Sequence, residues 1–165
     1  MHRLIHNKGE VMAGHLFQIN ASQGGVPKRA VGAAQIGALG LTIDSQDDKV
    51  HHGGPDRAVS VFSLERIMAL QGEGHPIYPG ATGENLTVSG LDWDAIVPGT
   101  RLQVGAVLLE VTGYATPCKT IIAAFRGGEF NRIHQKLHPG WSRVYTRVLQ
   151  MGEVQIGDAV QVVSA

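Results

Sequence analysis

The sequence predicts a mainly β fold, a closed or nearly closed β-barrel with two or three short helices. Glycine makes up 22 of the 165 residues, well above its usual share of about 7%, and it separates short apolar runs. This pattern is typical of many tight turns between short strands. The long helices that repeated β-α-β units need between successive strands are missing, which favours a barrel over a parallel sheet.

Strand-length apolar segments follow one another along the chain. The clearest pair is 101–112, where Gly105 and Ala106 separate two runs in which apolar and polar residues alternate. A glycine-rich turn at 21–28 follows the first segment, and a long polar loop at 44–56 follows the second. Strands are predicted at 16–20, 30–39, 58–62, 84–88, 144–149 and 159–163.

The predicted helices are few and short. Ser63 is a suitable N-cap for a helix over 64–70, and Glu65 lies in its first turn, where a negative charge favours the helix dipole. A second short helix is predicted over 120–125, and the segment 130–137 is either helical or irregular. The strands are therefore the main elements.

Residues 14–165 are predicted to form a single domain, preceded by an N-terminal leader at 1–13 with no clear period. The 14 Lys and Arg residues balance the 14 Asp and Glu residues, so no net field attracts nucleic acid or an acidic membrane surface. No segment approaches the roughly 20 apolar residues of a membrane span, and the N-terminus lacks a signal-peptide pattern. The one cysteine forms no internal disulfide, so we expect a reducing, cytoplasmic location.

Cys118 is the residue expected to carry the chemistry. Pro117 fixes its own backbone and disfavours helix at Thr116, so we expect an extended chain up to this point. A helix that starts just after Cys118 would place the thiol at a positive helix N-terminus beside Lys119, and both features favour the thiolate. A thiolate attacks sulfur donors, holds a persulfide or ligates a soft metal. The local sequence leaves a buried, inert cysteine as an equal alternative.

The loop 51–57 (HHGGPDR) contains two further candidates. Its glycines let backbone amides approach a ligand, and His52 and Arg57 are candidate donors to an anion. The alternative is a solvated turn in which one histidine caps the following strand. Adjacent histidines in an extended chain point to opposite faces, and no metal-ligand spacing occurs nearby, so a zinc site is not expected.

Three other polar residues have both a functional and a structural interpretation. Ser63 is a candidate phosphate ligand, or only the N-cap of its helix. Lys28 follows the glycine-rich turn and is a candidate anion contact, or a solvated turn residue. The Asn85 amide supplies a donor and an acceptor for the edge of a heterocycle, or satisfies its own backbone in a turn. The common nucleotide-binding, hydrolase and metalloprotease motifs are absent from the sequence.

Five segments taken together resemble a known family. They are 24–28 (GGVPK), 51–59 (HHGGPDRAV), 83–88 (GENLTV), 90–93 (GLDW) and 116–118 (TPC), and the closing pieces 140–141 (GW), 147–149 (RVL) and 157–158 (GD) extend the match. In this order they resemble a MOSC domain, the module named after the C-terminal part of molybdenum cofactor sulfurase, in its stand-alone form. The resemblance runs from about residue 16 to residue 163, nearly the whole chain.

The resemblance implies a β-barrel of the MOSC type and a role for one cysteine. The essentially invariant cysteine of the family would be Cys118, which either carries sulfur or ligates the molybdenum of a pterin cofactor (molybdopterin). Ser63 and Asn85 fall where cofactor-bound relatives contact the pterin or its phosphate, and His52 and Arg57 are candidates for the same pocket. Related molybdenum enzymes reduce N-hydroxylated compounds such as hydroxylaminopurines and amidoximes.

Three functions follow from this resemblance. The first is a molybdenum-dependent reductase of a small-molecule substrate, which needs separate electron-transfer proteins because the chain lacks the ferredoxin-like extension of larger relatives. The second is a sulfur-carrier module, a sulfur transferase in which a cysteine desulfurase places a persulfide on Cys118 for metal–sulfur cluster formation or cofactor sulfuration. The third is a non-catalytic cofactor-binding scaffold. No lysine occurs in a recognisable pyridoxal-phosphate context, so that cofactor would reside on a partner protein.

Overall fold

The computed structural model describes residues 13–44 and 53–163, and the fold is mainly β, as predicted. The strands in this part of the chain are β1 (Ala13–Ala21), β2 (Arg29–Val31), β3 (Ala33–Gly37), β4 (Gly40–Leu41), β5 (Val59–Ser63), β6 (Leu86–Ser89), β7 (Arg101–Val104), β8 (Val107–Tyr114), β9 (Val144–Gln150), β10 (Gly152–Gln155) and β11 (Ala159–Val163). Within the described residues α1 (Leu64–Gly72) is the one α-helix, and the 3-10 segments are Pro55–Arg57, Trp93–Ala95, Lys119–Ala124, Arg126–Gly128 and Phe130–Ile133.

Seven strands close into a barrel. Going round it, the order is β1, β11, β7, β8, β9, β5 and β6, and β6 pairs with β1 to complete the ring. Each strand in the ring is therefore paired on both sides, which avoids exposed sheet edges. β2 pairs with β1 outside the ring, and β10, β3 and β4 form a separate three-stranded sheet.

One pair in the ring, β5 with β6, is parallel, whereas the other neighbours are antiparallel. A ring with an odd number of strands cannot alternate direction all the way round, so it needs a parallel pair. The chain makes this pair through a single β-α-β crossover. The nine residues of α1 are short for such a connection, and the turn-rich segment 73–85 supplies the remaining length.

Several elements differ from the prediction, among them the two-residue strand β4, which was not predicted. The predicted strand 30–39 is divided at Gly32 between β2 and β3, which belong to different sheets. The predicted helix over 120–125 is a 3-10 segment. β10 was not predicted, because Val154 is its one buried residue and a single position cannot establish a period of two.

Parts of two predicted segments lie outside the described residues. The predicted leader at 1–13 is described only at Ala13, which starts β1, and the single-domain prediction stays a prediction. The polar loop at 44–56 is described at Asp44 and from Gly53 onward. No helix within the described ranges has both the length and the apolar character that crossing a membrane requires.

Apolar side chains fill the barrel. Along β7, Leu102 and Val104 are buried while Arg101 and Gln103 are partly exposed, which is the alternation of a strand with one face inward. Other side chains that are completely buried include Leu16, Ile19, Phe62, Leu86 and Leu109. A smaller set of polar residues is buried as well, including Asn20, Glu84, Asn85, Thr87 and Arg143, and several of these belong to the candidate site.

Candidate functional site

Cys118 lies just beyond the end of β8, where the chain leaves the barrel. The backbone N–H of Ala115 donates to the carbonyl of Arg143 at 3.0 Å, so the pairing of the two strands continues past Tyr114. Cys118 is extended (φ −142°, ψ 177°), and the 3-10 segment starts at the next residue. The backbone is thus extended at Cys118, and a 3-10 segment follows in place of the predicted helix. The thiol is half-buried, and its Sγ lies 3.0 Å from Oγ1 of Thr120.

Arg143, which the sequence analysis did not identify, is a buried cation near Cys118. Its Nη1 donates to the carbonyl of Thr82 at 2.6 Å, whereas its buried Nε has no hydrogen-bond partner in the described structure. Burial lowers the pKa of Arg143, and the charges of Tyr145, Glu84 and Cys118 act in the opposite direction. An arginine with an unused buried donor is suited to binding an anion.

Glu84 is a fully buried carboxyl group that interacts electrostatically with the same arginine. It accepts hydrogen bonds from the hydroxyls of Thr82 at 3.2 Å and Thr87 at 3.1 Å. Burial raises the pKa of Glu84, although backbone hydrogen bonds, the Thr87 hydroxyl and the charge of Arg143 partly oppose the rise. The carboxyl group therefore keeps its proton to a higher pH than an exposed glutamate does.

The pH dependence of stability tests this placement of Glu84. Because the folded chain retains this proton to higher pH than the unfolded chain, the free energy of unfolding is expected to fall as the pH rises above the ordinary value of 4.5 and through the raised pKa. Glu84→Gln has no such titration. The difference in unfolding free energy between Glu84→Gln and the wild-type protein, measured by urea denaturation at several pH values, is therefore expected to grow with pH. A difference that is independent of pH would contradict the raised pKa.

A row of outward-facing residues crosses the barrel near Cys118. Ser60 on β5 lies opposite Tyr145 on β9, and Tyr145 lies opposite Gly113 on β8. Directly opposed residues point to the same face, and a Cβ on Gly113 would meet no other described atom within 4 Å. The Arg57 guanidinium lies 5.5 Å from the centre of the Tyr145 ring. The surface over Gly113 is therefore open and bordered by an aromatic ring and basic groups.

Lys28, Asp44 and Asn85 form a buried cluster, the Asp44 cluster, at the edge of this row. Lys28 Nζ lies 2.6 Å from Asp44 Oδ2, and Asn85 Nδ2 donates to the same oxygen at 2.9 Å. Asn85 Oδ1 accepts from the backbone N–H of Ser60 at 3.1 Å. Lys28 and Asn85, two of the candidate residues predicted from the sequence, thus lie close together. They do so because both contact Asp44, which was not predicted.

Both selected residues of the Asp44 cluster already have protein partners. Asn85 is 1% exposed and Lys28 is 8% exposed. Asn85 Nδ2 also donates to the backbone carbonyl of Asn20 at 3.4 Å. In this geometry the cluster fixes one wall of the site, and direct contact of Asn85 or Lys28 with a ligand stays a prediction.

The buried pair of the Asp44 cluster predicts a large effect on stability. Asp44→Asn leaves the Lys28 ammonium group buried without a counter-charge, and removing one partner of a buried pair typically costs about 3–5 kcal/mol. We expect this loss in the free energy of unfolding, measured by urea denaturation. Adding Lys28→Met to Asp44→Asn removes the stranded charge and is expected to recover most of the loss. A double variant as unstable as the single one would contradict this account.

Ser63 lies at the other end of β5 from the Asp44 cluster. It caps α1 as predicted, since the backbone N–H of Arg66 donates to its Oγ at 3.1 Å. Ser63 pairs with Val88 at the carboxyl ends of the two parallel strands, whereas Asn85 meets Ser60 at their beginnings. About three residues of strand, roughly 10 Å, separate the two positions. The structure does not bring Ser63 together with the Asp44 cluster, and its contact with a phosphate stays a prediction.

Substitution of Ser63 measures its contribution as a cap. Ser63→Ala removes the acceptor for the Arg66 N–H, and we expect a loss of about 1 kcal/mol in the free energy of unfolding. Ser63→Thr keeps a hydroxyl at the N-cap and is expected to retain most of the stability. Circular dichroism during urea denaturation provides the measurement. Equal stability of wild-type protein and Ser63→Ala would show that the cap contributes nothing.

The two candidates from the loop 51–57 have different outcomes. Arg57 is part of the outer surface near Tyr145, and His52 lies outside the described residues. Among residues 13–44 and 53–163, no group of three or more His, Cys, Asp or Glu side chains could hold a metal ion.

The family of the chain follows from sequence comparison. A sequence profile of the MOSC domain matches residues 48–161. The chain is a MOSC-domain protein. Cys118, Arg143 and Asn85 lie within the matched range, whereas Lys28 and Asp44 precede it.

Two curated relatives are similar to this MOSC-domain protein. The uncharacterized protein YflK of Bacillus subtilis (strain 168) is 30% identical over 142 residues, which cover 85% of this chain and 63% of YflK. The protein YiiM of Escherichia coli (strain K12) is 28% identical over 138 residues, which cover 81% of this chain and 60% of YiiM. The chain thus spans less than two thirds of the length of both relatives.

Solved structures share the fold of this MOSC-domain protein. YiiM from Geobacillus stearothermophilus has a TM-score of 0.71 at 23% identity, with 92% of this chain and 75% of that chain covered. The YUAD protein of Bacillus subtilis has a TM-score of 0.71 at 18% identity, with 94% and 98% covered. YiiM from Escherichia coli gives 0.68 at 20% identity, with 94% and 70% covered.

Proposed function

We propose that this MOSC-domain protein binds a molybdenum cofactor through the Cys118 thiolate and reduces N-hydroxylated small molecules with electrons from separate redox proteins. The observation that carries the proposal is the half-buried thiol near Arg143, a buried cation whose Nε has no acceptor in the described structure. A soft sulfur ligand close to an unused cationic donor matches a metal that is held by an anionic organic cofactor.

The surroundings of Cys118 fit such a cofactor in three respects. The open surface over Gly113 leaves room that a side chain would reduce, and the flat ring of Tyr145 borders it. Arg57 and Arg143 supply guanidinium groups, whose fork of donors matches the geometry of a phosphate. The described residues contain no protein cluster that could complete a metal site, which supports a cofactor as the source of the other ligands.

Each of these residues would then have a distinct role. Cys118 would ligate the metal through Sγ, and the Thr120 hydroxyl 3.0 Å away would orient that sulfur. Arg143 would hold an anionic group from the buried side, while Arg57 would approach from the exposed loop. The cofactor, when bound, supplies a two-electron reduction in which an N–OH group and two protons become N–H and water. The Asp44 cluster would keep the neighbouring wall in place.

Analysis of protein made in a cofactor-competent host tests the proposal. We expect molybdenum and pterin at stoichiometric levels, and conversion of an N-hydroxylated base to the free base when a reductase system is added. Protein from that host that contains neither molybdenum nor pterin would contradict the proposal. Bound cofactor without any turnover would instead support the cofactor-binding scaffold.

A sulfur-carrier function is the second candidate, and the partial exposure of Cys118 favours it. A desulfurase, which would carry the pyridoxal phosphate, presents a cysteine persulfide. The Cys118 thiolate would attack its outer sulfur, form a new S–S bond and release the desulfurase thiolate, with no net oxidation. Incubation with a desulfurase and cysteine is then expected to add the mass of one sulfur atom to the wild-type chain. The same gain in Cys118→Ala would exclude this function.

A further inference from the structure

A small pocket lies next to Cys118, and we refer to it as the Thr120 pocket. Its lining includes Val26, Pro27, Tyr78, Ala81, Thr120 and Ala123. It encloses about 330 Å³, counting the space that is open to solvent at its mouth. The cavity itself has a volume of about 90 Å³. This is well below the roughly 300–1,000 Å³ of complete small-molecule sites, so the pocket would hold one part of a ligand, such as a single ring.

The walls of the Thr120 pocket come from segments that hydrogen bonds hold together. The backbone N–H of Lys28, next to Pro27, donates to the carbonyl of Gly80 at 2.9 Å, and Ala81 donates to the carbonyl of Tyr78 at 2.9 Å. On the other side, Ile121 donates to the carbonyl of Cys118 at 3.2 Å. The pocket is therefore already formed in the protein without a ligand.

Thr120 connects this pocket with the reactive sulfur. Thr120 is one of the lining residues, and its Oγ1 lies 3.0 Å from Cys118 Sγ. A molecule in the pocket that contacts Thr120 would therefore be separated from the Cys118 sulfur by this one side chain. The pocket and the thiol are thus parts of one surface.

The chemistry of the lining indicates what the pocket would hold. Apart from the hydroxyl groups of Thr120 and Tyr78, its side chains are apolar, and no charged residue is among the described residues that line it. Tyr78 is 49% exposed, so its ring is available to stack on a flat group. An uncharged planar ring fits this lining, whereas a charged or strongly hydrated group would lose its solvation there.

We propose that the Thr120 pocket is a specificity subsite that holds the uncharged ring of the substrate while the polar reacting group lies at Cys118. The inference rests on the proposed function for its reaction and adds the residues that select the substrate. Ala123 is the determining position, because it is the exposed alanine of the lining, whereas Ala81 and Ala124 are buried. A larger side chain there fills the pocket without disturbing the core.

Binding of a small ring compound to metal-free protein tests the subsite. The probes are benzamidoxime, which carries a ring, and acetamidoxime, which does not, and binding is measured by isothermal titration calorimetry. We expect Ala123→Phe to weaken benzamidoxime binding at least about tenfold. Ile122→Phe introduces the same side chain one residue away, outside the lining, and is expected to bind as the wild-type protein does. Acetamidoxime is expected to bind weakly and equally to all three proteins.

Two results would overturn the subsite: absence of benzamidoxime binding to the wild-type protein, or equal binding by the two phenylalanine variants. Failure of the proposed function is a separate outcome, because it appears as missing molybdenum in protein from the cofactor-competent host. Cys118→Ala is expected to keep benzamidoxime in the pocket. In cofactor-loaded protein, Ala123→Phe is expected to raise KM for benzamidoxime, with KM for acetamidoxime and the molybdenum content unchanged.

Discussion

Replacement of Cys118 by alanine is expected to remove molybdenum and pterin from protein purified from a cofactor-competent host. Cys118 has the one thiol in the sequence, and a thiolate is a strong soft ligand. The described residues contain no group of three or more His, Cys, Asp or Glu side chains that could hold the metal instead. We therefore expect a molybdenum content below about a tenth of the wild-type level and no measurable reduction of an N-hydroxylated substrate. Loss of a residue that only hydrogen-bonds to a metal ligand already lowers metal affinity about 10–100-fold, so loss of the ligand itself should cost at least as much. Metal analysis and fluorescence of the oxidised pterin provide the measurements.

The same variant is expected to fold normally. Cys118 is half-buried, and the contact recorded for its sulfur is the one with Thr120, so the free energy of unfolding should change by less than about 1 kcal/mol. Thr120→Val is a matched variant that keeps the shape beside the sulfur but removes the hydroxyl. We expect it to retain cofactor at reduced occupancy. Wild-type molybdenum content in Cys118→Ala would rule out the cysteine as the metal ligand.

Replacement of Arg143 by methionine is expected to weaken binding of an anionic cofactor. The guanidinium donates to the Thr82 carbonyl at 2.6 Å, while its buried Nε has no partner in the described structure. Arg143→Met leaves the Thr82 carbonyl without this donor and removes the charge that interacts with Glu84, so the free energy of unfolding is expected to fall by about 1–3 kcal/mol. Binding of an anionic cofactor is expected to fall roughly 10–100-fold, because a charge-assisted hydrogen bond contributes about 1.5–3 kcal/mol.

Arg147→Met is the matched control for this prediction. Arg147 lies in β9, four residues after Arg143, but its side chain is 46% exposed and interacts with Asp56 and Glu110. We expect its substitution to leave cofactor content unchanged. Arg143→Lys keeps the charge but loses the fork of donors, and an intermediate occupancy is expected. A loss of molybdenum that is equal in Arg143→Met and Arg147→Met would show that net charge, rather than the buried donor, controls binding.

Local chemistry made some of these features predictable from the sequence. Ser63 caps α1 because an N-cap acts on the N–H groups of the next turn. The extended backbone before Cys118 follows from Pro117, its direct neighbour. The β7–β8 pair follows from alternation on either side of a two-residue turn. In all three cases the determining groups lie within a few residues of one another.

The remaining features depend on contacts between distant parts of the chain. Arg143 bonds to Thr82 across 61 residues, and Asp44 meets Asn85 across 41. No periodicity reveals such partners, so neither Arg143 nor Asp44 was identified. The parallel pair within the ring is likewise a property of closure with seven strands, which single strands do not encode. Burial of Glu84 also becomes evident only once the barrel is assembled.

A crystal structure of protein from the cofactor-competent host, with an anomalous difference map at the molybdenum absorption edge, tests the central claim most directly. We predict a single strong peak bonded to Cys118 Sγ, with an anionic group of the cofactor within hydrogen-bond distance of the Arg143 guanidinium. A Cys118 sulfur that carries only a second sulfur atom, or a molybdenum peak away from Cys118, would contradict the account.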